Sequence, residues 1–138
     1  MYLLDTNALS EPLKKRPSTA FLGRIEAARG KRKAASVVSL MELRHGCARH
    51  PAGDRLWRKI EVEVLSYVEL LPVDDSIALR AGDLMAEAHR RGRPRSTEDL
   101  LIAATALGYG LVLVTRNTSD FTGIPGLRIE DWMEPTGT

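Results

Sequence analysis

Residues 100–117 read LLIAATALGYGLVLVTRN, a helix, a stop and a strand in direct succession. Leu100 to Leu107 is apolar nearly all round, the pattern of a helix enclosed on most sides. Ser96 or Thr97 supplies a cap, so the helix is expected from Glu98 to Leu107. Gly108 and Gly110 then end it. Leu111–Val114 is the most strand-like segment of the chain, a short apolar run that suits a buried strand. Thr115, Arg116 and Asn117 close it with polar side chains. Leu100–Thr115 is also the longest uncharged run, and it is shorter than the ~20 apolar residues that cross a bilayer.

The same alternation repeats outward from this unit. Tyr2–Leu4 is a short apolar strand ended by Asp5, Thr6 and Asn7, with a short helix following to about Leu13. Lys14–Pro17 is a solvated break. Ser18 caps a helix with Phe21, Leu22, Ile25 and Ala28 on its apolar face and Gly30 as its stop. Ala34–Val38 reads as a second buried strand, after which Ser39 opens a helix carrying Leu40, Met41 and Leu43, with Gly46 near its end. A longer helix spans about Asp54–Val68, and Leu70–Val73 is the third strand. Asp75 or Ser76 caps a helix that runs through Ala88 and fades into Arg90, Arg91 and Gly92. Leu127–Ile129 is a weaker fifth strand. Strands separated by helices imply an α/β fold with a five-stranded, mostly parallel sheet, helices on both faces and right-handed crossovers. No repeat or linker divides the 138 residues, so a single domain over residues 1–138 is expected.

Composition removes several classes of function. Lys and Arg number 20 against 18 Asp and Glu, so any basic surface is local. Cys47 is the only cysteine, which excludes an intrachain disulfide framework or a cysteine-rich zinc site. MYLLDTN lacks a basic region and a long apolar core, so no secretory signal is read there and the cytoplasm is the default compartment. His45, His50 and His89 share no ligand spacing and read as solvated helix residues. No GxGxxG or GxxxxGK[ST] loop is present. A receiver-type phosphate acceptor calls for a lysine after a late strand, where Thr115 and Arg116 stand. Aromatic residues make up 5 % of the chain, so stacking on single-stranded bases is not a theme.

The acidic residues carry the chemistry. In an open parallel sheet, sites form beyond the carboxyl ends of the strands where the strand order reverses. Asp5 follows the first strand, and Thr115, Asn117 and Asp120 follow the fourth. Glu42 falls in the first turn of the helix after the second strand, and Asp99 in the first turn of the buried helix. Each has a local explanation as well. Ser39–Glu42 and Ser96–Asp99 both read as capping boxes, Asp5 as a helix cap and Asp120 as a turn residue. Together they bring several carboxylates to one edge. Two carboxylates about 5 Å apart repel by roughly 3 kcal/mol at an effective dielectric near 20, and a cluster raises its own pKa values or gathers a counterion. Oxygen ligands suit Mg²⁺ or Mn²⁺ rather than zinc. Arg91, Arg93 and Arg95, with Arg90, form a basic stretch before Asp99 that reads as a solvated helix end or as a phosphate-backbone contact; Arg116 joins it as a candidate nucleic-acid contact.

LLDTNALSEPL at 3–13, SLMELRHG at 39–46, TEDLLIAATA at 97–106, LVTRNTSDF at 113–121 and IPGLRIEDW at 124–132 together resemble the PIN-domain nucleases, and among them the VapC-type toxins of bacterial type II toxin–antitoxin pairs. The opening segment looks most like the FitB subgroup. The resemblance implies an endoribonuclease that cleaves RNA with Mg²⁺, for which Mn²⁺ substitutes. It implies a cognate VapB-type antitoxin that blocks the pocket, operator DNA contacted only through that antitoxin, and a homodimer. Matched by position, Asp5, Glu42 and Asp99 hold the metal, and Thr6 and Thr115 support them through hydrogen bonds. Asn117 takes a place where many family members carry aspartate, and Asp120 is the alternative at that corner. A second reading is a FitB-like subunit of a DNA-bound repressor complex, with weak or no nuclease activity and an acidic pocket that docks the antitoxin.

Overall fold

The computed structural model describes residues 1–134; the expected domain boundary at residue 138 lies outside them. In chain order the elements are β1 (Tyr2–Leu4), α1 (Thr6–Ser10) continuing into a 3₁₀ turn (Glu11–Leu13), α2 (Thr19–Ala27), β2 (Lys33–Ser36), α3 (Val37–Ala48), α4 (Gly53–Glu63), a 3₁₀ turn (Leu65–Tyr67), β3 (Glu69–Leu71), α5 (Asp75–Arg90), α6 (Thr97–Tyr109), β4 (Val112–Val114), a 3₁₀ turn (Thr118–Asp120) and β5 (Ile129–Glu130). The five strands form one sheet in the order β3-β2-β1-β4-β5. Every pairing is parallel, with Leu3 opposite Leu113 and Ala34 in the central registers.

Strand periodicity places the core. Leu3, Ala34, Leu71 and Leu113 face α6, against Ile102, Ala103, Ala106 and Phe121. Their neighbours Leu4, Ala35 and Val114 point the other way, onto Ala8, Phe21, Leu43, Ile60 and Trp132. Both faces are therefore covered, which is why these strands read as continuous apolar runs rather than as alternating ones. α5 forms an outer layer on α6 through Ile77, Ala81 and Ala104.

Several boundaries differ from the sequence reading, each for a local physical reason. β2 stops at Ser36, which pairs with Leu71 and whose hydroxyl accepts the Val38 N–H at 3.0 Å. Val37 and Val38 have strand propensity, but this cap turns them into the start of α3. Ser39 is thus inside the helix and fully buried, Glu42 lies beyond the first turn, and no Ser39–Glu42 capping box exists. Gly108 does not stop α6. It lets α5 approach, since a Cβ there would lie 2.4 Å from Ile77 Cδ1. The stop is Gly110, at φ +67°. α4 ends at Glu63 rather than near Val68. Asp74, rather than Asp75 or Ser76, caps α5 by accepting the Ile77 N–H at 2.9 Å. β3 and β5 are each displaced by one or two residues from the expected runs. β5 is fixed by its surroundings: Trp132 is buried, its Nε1–H donates to Glu130 Oε1 at 2.9 Å, and Arg24 pairs with that carboxylate at 2.8 Å.

Candidate active site

The strand order reverses between β1 and β4, so the carboxyl ends of these two strands open the crevice in which such folds place their chemistry. Asp5 stands there, one residue past β1. Its Oδ1 accepts the Ala8 N–H at 2.8 Å, capping α1. Its Oδ2 accepts the Thr115 hydroxyl at 2.6 Å. Asp5 is 6 % exposed and Thr115 1 %, so both capping and cross-strand bonds are sheltered from water. Burial pushes the Asp5 carboxyl above its ordinary pKa; the bonds from Thr115 and Ala8 oppose that, and the charges of Asp99 and Glu42 add to it.

Glu42 arrives on α3. Thr6 Oγ1 lies 2.6 Å from Glu42 Oε1 and 3.0 Å from Ser39 Oγ. A threonine hydroxyl has one hydrogen to give, and the carboxylate is the stronger acceptor. Thr6 therefore donates to Glu42 and leaves its lone pair for Ser39. This chain of hydroxyls fastens α1 to α3 and fixes one oxygen of Glu42. By sequence Ser39 resembles a helix cap, and its place in this hydroxyl chain has no signature there.

Asp99 arrives in the first turn of α6, where its N–H donates to Ser96 Oγ at 3.1 Å. It is half-buried, and its carboxyl is pushed up by burial, against the hydrogen bond from Ser96, and further by the charges of Asp120, Glu42 and Glu98. Asp5, Glu42 and Asp99 thus lie within one another's fields. Among the described residues none of the three has a cationic partner in an ion pair. Asn117 is exposed, and its N–H donates to Thr115 Oγ1 at 3.0 Å, which ties it by backbone to the hydroxyl that holds Asp5. Asp120 and Asp99 share a hollow of about 200 Å³ with Arg93, Arg95, Ser96 and Ser119.

The basic candidates separate. Arg91 is ion-paired with Glu87 at 2.7 Å on its own helix. Arg95 folds back, donating to the backbone carbonyls of Asp120 and Thr122. Arg93 and Arg116 are exposed. Sequence reasoning passed over Glu11, which is buried. Lys14 takes its Oε1 at 3.1 Å, and its Oε2 has no partner among the described residues.

All three acids offer oxygen, two are desolvated, and their mutual charge is uncompensated, which suits a hard divalent ion. Among the described residues no three carboxylate, imidazole or thiolate groups converge into one ready coordination shell. Mg²⁺ takes one or two carboxylates and keeps several waters, so a fully protein-built shell is not what it requires.

The all-parallel five-stranded sheet is the architecture of the PIN class, and residues 2–126 match the PIN domain family, to which this chain belongs. Within that family it sits among the VapC-type proteins. It is 38 % identical over 140 residues to the VapC ribonuclease Y4jK of Sinorhizobium fredii, covering 98 % of this chain and 99 % of that one. It is 37 % identical over 131 residues to the tRNA(fMet)-specific endonuclease VapC of Shigella flexneri, covering 95 % and 97 %. The toxin FitB of Neisseria gonorrhoeae, which the opening segment resembles, is 30 % identical over 126 residues, covering 88 % of this chain and 91 % of that one. Among solved structures, DNA-bound VapBC from Salmonella typhimurium superposes with a TM-score of 0.85 at 36 % identity, covering 95 % of this chain and 97 % of that one.

Proposed function

We propose that this chain is a single-domain endoribonuclease, the toxin of a toxin–antitoxin pair, that hydrolyses RNA phosphodiester bonds with Mg²⁺ held by Asp5, Glu42 and Asp99. The observation that supports this most is that Asp5 after β1, Glu42 on α3 and Asp99 on α6 lie within one another's electrostatic reach, with no cationic partner among the described residues. When bound, a divalent ion supplies the Lewis acidity that phosphodiester hydrolysis needs. The chain's own residues do the rest. Thr115 and the Ala8 N–H fix both oxygens of Asp5, and Thr6 fixes one oxygen of Glu42, so that neither has to be ordered when substrate arrives. Asn117 presents a neutral amide at the rim, which avoids adding a fourth negative charge against the incoming phosphate. Arg93 and Arg116 offer exposed charge to the RNA backbone. The names of the Shigella and Sinorhizobium relatives support the nuclease over the repressor-subunit reading and make tRNA the first substrate to assay.

The antitoxin has a seat of suitable character. A groove of about 840 Å³ between α1, α2 and the turn after α4 is lined by apolar side chains including Leu22, Ile25, Val64 and Tyr67, with a rim of both signs in which Glu26 and Glu63 stand beside Lys31 and Lys33. Leu22 is 40 % exposed and Tyr67 77 %, apolar surface that an amphipathic helical segment would cover.

The deciding experiment incubates the purified chain with total tRNA in Mg²⁺, in EDTA, and with Asp5→Asn and Asp99→Asn. Defined cleavage products that vanish in the other three conditions are expected. Equal cleavage by either variant would remove that residue from the reaction. Expression without an antitoxin is expected to arrest growth; normal growth at a verified level of soluble protein would favour the repressor-subunit reading.

A further inference from the structure

Arg95 belongs to a basic stretch whose simplest reading is contact with nucleic acid, yet its guanidinium is already committed. Nη1 donates to the Asp120 carbonyl and Nη2 to the Thr122 carbonyl. These carbonyls flank the end of the 3₁₀ turn Thr118–Asp120, so one rigid fork spans the turn and its exit. The planar guanidinium makes such paired bonds, which the point charge of a lysine does not reproduce. The turn continues from Asn117, whose N–H is anchored on the hydroxyl that binds Asp5. Arg95 itself lies directly before Ser96, the residue that caps α6 and accepts the Asp99 N–H. The clamp therefore ties the start of the helix that carries Asp99 to the loop that carries Asn117 and Asp120. Gly123 completes it. Its φ of +88° is a conformation that side chains rarely adopt, and it turns the chain beneath the guanidinium groups of Arg95 and Arg93.

We infer that Arg95 is a positioning residue for the nuclease site, fixing the Asn117–Asp120 corner against Asp99, and that contact with RNA on this stretch falls to Arg93. This rests on the nuclease reading. Lys is expected at best to rescue part of the effect, since it offers one head group to two carbonyls.

The test combines two readouts on Arg95→Ala, Arg95→Lys, Gly123→Ala and Arg93→Ala. The first is metal-free amide exchange at Asp120, Phe121 and Thr122, whose N–H groups bond back to Asn117 and Thr118 within the turn. The second is steady-state cleavage. For Arg95→Ala we expect exchange at these amides to quicken about tenfold or more while β1 and β4 amides stay unchanged. We expect kcat to fall about 10- to 100-fold with KM for RNA within about twofold. Arg95→Lys is expected to lie between, and Gly123→Ala to follow Arg95→Ala, reaching the same turn through the backbone. Arg93→Ala should raise KM and lessen its salt dependence. A raised KM with unchanged kcat in Arg95→Ala would make Arg95 an RNA contact and overturn the inference, as would unchanged exchange. If the unaltered chain cleaves no RNA, the nuclease reading and the catalytic consequence fall together, and the exchange arm alone decides whether Arg95 fixes the turn.

Discussion

The Thr115 hydroxyl donates to Asp5 Oδ2 at 2.6 Å across 110 residues of chain and accepts the Asn117 N–H at 3.0 Å. One buried side chain thus joins the ends of the two central strands and the loop beyond them. Thr115→Val keeps the shape and removes both bonds. It is expected to cost about 1–3 kcal/mol in chemical denaturation, because it strands a buried acceptor and a donor. It should also move the Asp5 carboxyl further above its ordinary pKa, since the lost bond is the largest of those opposing burial. Carboxyl NMR of the metal-free protein measures the second effect, and Thr115→Ser should reverse most of both.

Neutralising Asp99 should stabilise the metal-free fold at neutral pH. A carboxyl whose native pKa exceeds its unfolded one favours the fold below the unfolded value and withdraws that contribution as pH rises through the native one. Asp99 is such a group. Asp99→Asn is expected to raise Tm by about 2–5 °C at pH 7, with no gain near pH 3, where both proteins are uncharged at this position. A Tm difference independent of pH would show that the acid is not strained by its neighbours.

Glu42→Gln separates charge from geometry. The glutamine carbonyl still accepts from Thr6, so stability should change by less than about 0.5 kcal/mol. Activity should fall by about two orders of magnitude if the carboxylate holds the ion. Thr6→Val leaves the charge and frees the oxygen that Thr6 fixes, and should lower activity by about 10- to 100-fold.

Divalent-ion affinity should depend on pH above the usual carboxylate range. Asp5 and Asp99 both hold their protons more tightly than free aspartate, and an ion must displace those protons. Calorimetric Mn²⁺ affinity is expected to go on rising with pH above the range in which a free aspartate finishes titrating, and then to level off. Asn117→Asp adds charge at the rim and should tighten binding in the free protein. Unchanged affinity would place residue 117 away from the ion and leave Asp120 as the stronger candidate for that corner.

Trp132 should be a keystone for the sheet edge rather than for chemistry. It is buried, packs edge-on to Tyr2 at a centroid distance of 4.9 Å and lies under Arg24. Trp132→Ala is expected to cost about 3–5 kcal/mol by equilibrium unfolding, with Mg²⁺-dependent cleavage per folded molecule unchanged.

The fold was legible because buried parallel strands announce themselves as short apolar runs and because Ser18 and Ser96 cap helices at recognisable places. Asp5 and Asp99 were legible as candidates for the same reason: each follows or precedes an unmistakable buried element. What was hidden depended on contacts between distant segments. Ser36 and Ser39 are equally good caps by type, and only the pairing of Ser36 with Leu71 chooses between them. The three-residue offset between those two serines moved Glu42 within its helix and disguised Ser39 as a cap. Likewise a run of arginines looks alike whether the guanidinium groups face water, pair with Glu87 or reach back to a loop carbonyl.

The register of β1 against β4 has a consequence for synthesis. Tyr2 pairs with Val112, so the middle of the sheet leaves the ribosome about 110 residues before the strand that flanks it. At roughly 5–20 residues per second, many seconds pass in which Asp5 exists without Thr115 and without Asp99 at its side. Local helices form in that interval, but this long-range closure must wait. A chain that cuts RNA when complete thus spends most of its own synthesis with its acidic corner unassembled, because Asp5 waits for Asp99 and then Thr115 to emerge.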